Sequence, residues 1–100
     1  MSLEILVGLS VTDDAAYSTY RAGMTPILAL HRGSFGYDFK VSEVLKSESE
    51  VLINRVFTIQ FPDESAMSSF FSDSTYLEVK AAHFDLSVSD TVIIATYEPQ

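Results

Sequence analysis

Apolar residues recur at every second position in four stretches of this chain and at every third or fourth position between them. Leu3, Ile5, Val7, Leu9 and Val11 alternate with Glu4, Leu6, Gly8 and Ser10, which predicts a first strand over residues 3–11 with one wholly apolar face. Thr12, Asp13 and Asp14 follow, offering side-chain oxygens to unpaired helix N–H groups and negative charge to the positive helix end. A helix should therefore begin near Asp14. Along it Tyr17, Tyr20, Met24, Ile27, Leu28 and His31 share one face, provided the helix survives Gly23 and Pro26. Proline lacks an N–H and crowds the preceding turn, so a kink or brief break is expected at Pro26, and Gly33 suits a left-handed stop.

A second strand is predicted over residues 34–42, with Phe35, Tyr37, Phe39 and Val41 on one face. The polar run at 46–50 reads as the connection to a third strand over 51–61, whose core phase is Ile53, Arg55, Phe57, Ile59 and Phe61. Pro62 ends that ladder. Asp63 and Glu64 then open a helix with Ala66, Met67, Phe70 and Phe71 on its apolar side, broken at residues 72–74 and restarting near Tyr76, where Thr75 and Glu78 have capping-box spacing. Residues 91–97, rich in β-branched side chains, form the last strand.

The order β-α-β-β-α-β predicts a single α+β domain over residues 1–100. Its architecture is ferredoxin-like, a four-stranded antiparallel sheet with helices on one face. The other face carries Leu6, Gly8, Ser10, Leu52, Asn54, Val56, Thr58 and Gln60, too apolar for solvent and too polar for a sealed core. Two such faces packed together in a homodimer would satisfy it.

Composition narrows the partners. The net charge is −8 and the six basic residues are scattered, so neither nucleic acid nor an anionic membrane is an expected partner. Cysteine is absent, which removes disulfides and thiolate chemistry and fits a cytoplasmic protein. No apolar run approaches the roughly 20 residues of a membrane span. Two histidines and dispersed carboxylates show no ligand spacing, so no metal is expected. With no phosphate-cradling glycine loop or nucleophile elbow, no cofactor is expected either.

His31 and His83 are the side chains suited to proton transfer near neutral pH. Each ends a predicted helix on its apolar side, where packing on a neighbour or service as a base are both open readings. Arg55 shares the phase of Phe57 and Ile59. Either its stem covers the core edge while the guanidinium reaches water, or the guanidinium meets a ligand carboxylate at a pocket mouth. Tyr17, Tyr20, Tyr37 and Tyr76 read as core-edge residues or as ligand donors. Asp73 reads as a helix cap.

The segments from Tyr17 to Tyr20, His31 to Phe35, Arg55 to Pro62 and Phe70 to Tyr76 resemble domain-of-unknown-function family 1330, within the dimeric α+β barrel superfamily. The resemblance runs over nearly the whole chain. Three positions depart from it: Arg32 where the family resembles a glycine, Asp73 where it resembles a serine, and His83 where an arginine is usual. The resemblance implies the fold and a homodimer more than an activity. It supports a cleft between helices and sheet for a small carboxylated molecule, with Tyr20, His31, Tyr37, Arg55, Tyr76 and His83 as candidate contacts. The alternatives are cofactor-independent monooxygenase- or isomerase-like chemistry with His83 or His31 as base, and a structural or partner-binding module with no ligand.

Overall fold

A computed structural model describes residues 2–99. Strand β1 (Leu3–Val11) leads into helix α1 (Asp14–Leu30), and β2 (Ser34–Lys40) returns through β3 (Arg55–Phe61). Helices α2 (Glu64–Ser72) and α3 (Ser74–Val79), a π-helical turn (Lys80–Phe84) and a short turn (Asp85–Ser87) then lead into β4 (Val88–Tyr97). The strands form one sheet in the order β2-β3-β1-β4, and every neighbouring pair is antiparallel. This is the ferredoxin-like arrangement of the sequence reading, with the helices on one face.

The core lies between the layers. Ile5, Val7 and Leu9 of β1 and Phe57, Ile59 and Phe61 of β3 meet Tyr17, Tyr20, Met24 and Leu28 of α1 and Phe70 of α2. Each helix starts on an aspartate: Asp13 accepts from Ala16 N, Asp63 from Ala66 N, and Asp73 from Thr75 N and Tyr76 N. The expected Thr75 capping box is thus replaced by Asp73, one residue outside the helix, whose short carboxylate reaches the free N–H groups directly.

Helix α1 passes through Pro26 as one element. The proline removes only its own N–H bond, while Met24, Ile27 and Leu28 on either side are buried and hold the helix to the sheet. The left-handed residue after α1 is Arg32, with φ of 62°, and not Gly33. Gly33 is needed for space instead, since a Cβ there would sit 2.4 Å from Leu28 Cδ1.

Strand β2 differs from its expected phase. Its register on β3 slips between Phe35, opposite Ile59, and Asp38, opposite Phe57. The extra residue places Phe35 and Asp38 on the helix face and turns Tyr37 and Phe39 to the outer face, against the single apolar face expected for all four aromatic and aliphatic positions. Thr58 Oγ1 accepts from Tyr37 N at 2.8 Å at this bulge, and a Cβ on Gly36 would lie 2.5 Å from the same oxygen. The connection to β3 is longer than the expected polar run, covering residues 41–54. Asn54 anchors its end: its backbone N–H donates to Leu9 O at 2.9 Å, and its side chain accepts from Val11 N and donates to Val11 O, both at 2.8 Å. Ile53, expected in the core phase, comes within 3.0 Å of where a Cβ on Gly8 would be, beside Val92, on the outer face.

Candidate functional site

A cleft of about 410 Å³ runs between the helices and the sheet, a volume that suits a small organic ligand. Ile5, Val7 and Ile59 form its floor, and Tyr20, Met24 and Tyr76 its roof. The spacing of Tyr17, Tyr20 and Met24 aims α1 into it, and the Asp73 cap starts α3 so that Tyr76 faces Tyr20. Their hydroxyls hydrogen-bond at 2.9 Å. Burial pushes both Tyr20 and Tyr76 above the ordinary phenol pKa, and the neighbouring Tyr76 raises Tyr20 further. Both are therefore neutral hydroxyls at physiological pH. The cleft reaches Ile93 of the edge strand β4, which is 54% exposed, with Leu77 and Lys80 also in the wall.

The other end, under β2 and β3, is polar. The Arg21 guanidinium lies 3.9 Å from the Phe35 ring centroid and 4.7 Å from that of Phe57, and its Nε donates to Tyr17 Oη at 2.8 Å. Its Nη2 is buried and, among the described residues, has no hydrogen-bond partner. Asp38 Oδ1 stands 3.3 Å away, at ion-pair distance but misaligned for a hydrogen bond. That carboxylate is already occupied by Arg55, whose Nε and Nη2 donate to Oδ1 and Oδ2 at 2.8 Å each. The Arg55 bond, with Arg21 nearby, holds the Asp38 carboxyl below its usual pKa. Burial raises the Tyr17 phenol despite both arginines.

The six candidate residues do not form one group. Tyr20 and Tyr76 meet in the cleft. Tyr37 stands on the outer face of the sheet, 64% exposed and stacked on Phe39 at 5.8 Å between centroids. Arg55 is on the helix face but is forked onto Asp38 beside a second, smaller depression with Asp14, Lys40 and Asn54. His31 Nε2 is 2.8 Å from Asp73 Oδ2, tying the end of α1 to the α2–α3 junction. His83 is half-buried on the π-helical turn and does not line the cleft.

Arg21 is the residue that sequence reasoning missed. It lies four residues after Tyr17 and three before Met24, on the flank of the apolar stripe. A cation at that spacing is the signal that could have found it. Among the described residues there is no group of three or more His, Cys, Asp or Glu side chains placed to hold a metal ion, and no helix is long and apolar enough to cross a membrane.

A four-stranded antiparallel sheet covered on one face by helices, with an apolar cleft between the layers, defines an α+β protein of the ferredoxin-like class. The chain belongs to the family described as Domain of unknown function (DUF1330), which matches residues 5–97. No curated protein matches the sequence. Among solved structures, a protein of unknown function from Rhodopseudomonas palustris is similar with a TM-score of 0.80 at 17% identity, over 99% of this chain and 82% of that one. A Dabb family protein with a ferredoxin-like fold from Mesorhizobium loti gives 0.69 at 13% identity, over 99% and 97%. A dimeric ferredoxin-like protein of unknown function from Jannaschia sp. gives 0.63 at 15% identity, over 99% and 100%. At these identities the likeness is one of fold.

Proposed function

We propose that this protein is a cytoplasmic homodimer that binds a small, largely apolar organic acid in the cleft between helices and sheet. The observation that carries the reading is the cleft itself: about 410 Å³, apolar over most of its lining, with the Tyr20–Tyr76 hydroxyl pair in its roof and a cation with a free buried donor at one end. Such a site orients a ligand through few polar contacts and holds it by burial. Binding is favoured over acid–base catalysis because neither histidine reaches the cleft, and the tyrosines there are too weakly acidic to serve as bases near neutral pH. Dimerisation is supported by the outer face, where Tyr37 and Phe39 are exposed beside half-buried Leu6, Val56 and Val92. The similar Jannaschia protein is described as dimeric.

Native mass spectrometry of freshly purified protein, set against its denatured mass, tests both parts. The expected result is a dimer carrying a co-purified small molecule, or a bare dimer that takes up one organic acid per chain on titration. A monomer at micromolar concentration would refute the homodimer, and failure to take up any small aromatic acid would refute the cleft as a ligand site.

A further inference from the structure

We infer that Arg21 is the anion-recognising residue of this cleft and that Asp38, shared between Arg21 and Arg55, sets its charge so that singly charged acids are selected. The inference rests on the cleft being a ligand site. Two guanidinium groups converge on one carboxylate, and they are not equivalent. Arg55 takes both oxygens of Asp38 in a fork at 2.8 Å, whereas Arg21 Nη2 stands 3.3 Å from Oδ1 with no hydrogen bond. Arg21 cannot retreat from this position. Its Nε is held by the Tyr17 hydroxyl, and its plane is packed against Phe35 and Phe57. Arg55 thus holds the Asp38 oxygens away from a hydrogen bond with Arg21, leaving those two at ion-pair distance only, and it does so without lining the cleft.

The charge count follows. Two arginines and one aspartate leave +1 at this end. A neighbouring charged pair, Lys40 Nζ and Asp14 Oδ2 at 3.8 Å, sums to zero and is exposed. A ligand with one negative charge brings the end to neutrality. A neutral ligand leaves a buried cation without its anion, and a doubly charged head leaves an excess anion among aromatic rings, both unfavourable in a desolvated site. Arg55 is a positioning residue in this scheme, and Asp38 determines specificity.

The test compares three probes of similar shape: 2-naphthoate, 2-naphthamide and, at a pH where it is a dianion, 2-naphthyl phosphate. Dissociation constants are measured by calorimetry on the wild type and on Arg55→Gln and Asp38→Asn. The wild type should prefer 2-naphthoate over both others by about tenfold or more, the worth of one charge-assisted hydrogen bond. Arg55→Gln releases Asp38 onto Arg21 and should abolish the preference for the acid over the amide. Asp38→Asn leaves +2 and should widen that preference while admitting the phosphate.

The two variants move selectivity in opposite directions, which general damage to the site does not do. Shifts in the same direction, or none, would overturn the inference. Tight binding of all three probes to the wild type without preference would overturn it while sparing the cleft as a ligand site. Binding of none at millimolar concentration removes that reading and this one with it. If Arg55→Gln does not fold, Asp38→Asn carries the test alone, with an unchanged probe preference as the refuting result.

Discussion

Arg32 holds φ at 62° in the turn after α1, where its own Cβ crowds the backbone. A left-handed residue other than glycine costs about 1–2 kcal/mol, and glycine's larger unfolded-state freedom returns about 0.5–1 kcal/mol of any relief. Arg32→Gly should therefore stabilise the protein by about 0.5–1 kcal/mol, raising Tm by a few degrees in a thermal melt. Arg32→Ala, which keeps the Cβ, should not. The neighbouring Gly33 has the opposite reason for its identity. Gly33→Ala drives a methyl against Leu28 and Phe61 and should lower Tm. Residue by residue, the sequence is most readable where spacing alone decides: helical spacing puts Tyr17, Tyr20 and Met24 on one face of α1, and that face lines the cleft. For Arg21 the sequence shows only a cation on the flank of the apolar stripe; its cage is not legible there, because the rings come from β2 and β3 and only the folded chain brings Phe35 and Phe57 over α1. Arg55 showed its unusual phase plainly. What it could not show is that its fork is filled by Asp38, seventeen residues away along the chain.

At the scale of elements, the strands and helices were legible from period, and the errors gather where one extra residue or one side chain changes a phase. The slip in β2 reverses Tyr37 and Phe39, and no count of alternating residues reveals it, because Thr58, which accepts the Tyr37 N–H, lies on another strand. The α2–α3 junction turns instead on Asp73, a cap in sequence and in structure alike. Asp73 starts α3 through the backbone N–H groups of Thr75 and Tyr76 and at the same time meets His31 from α1. The His31 hydrogen bond, and after it that of Tyr76 N–H, holds the Asp73 carboxyl below its usual pKa. A carboxyl whose folded pKa is lowered stabilises the fold fully above the ordinary value of about 4, and that stabilisation is lost as pH falls through the lowered one. Asp73→Asn should therefore melt earlier than wild type near neutral pH and lose less of its stability between pH 5 and pH 2.5. The check is a series of thermal melts across that range, and parallel curves for the two proteins would contradict the assignment. Hydrogen exchange should quicken first in Ser74–Val79, the segment the cap begins, which would loosen the roof of the cleft at Tyr76.

For the whole molecule, the proposed homodimer turns on the outer face of the sheet. Tyr37 and Phe39 stack on the edge strand, and Leu6, Val56 and Val92 continue the apolar surface across the sheet. At the Glu4 end the face is polar, yet it is already satisfied: Gln60 Nε2 donates to Glu4 Oε1 at 2.6 Å and the Tyr97 hydroxyl to Oε2, leaving Glu4 only 7% exposed in the isolated chain. A partner covering this row would not strand a carboxylate, since its oxygens have donors before the partner arrives. Both the apolar and the polar part of this face are therefore compatible with the proposed homodimer. Phe39→Asp probes it without touching the core, because Phe39 is 55% exposed within one chain and the aspartate remains solvated in a monomer. In a two-fold dimer the substitution places two new charges in the covered face, so the dimer dissociation constant should rise by about a hundredfold or more. Sedimentation velocity across a concentration series should show monomer at concentrations where the proposed wild-type dimer persists, and Tm should become lower and less dependent on protein concentration. If Phe39→Asp leaves the sedimentation coefficient unchanged, the subunits meet elsewhere and the apolar surface around Phe39 requires a different occupant.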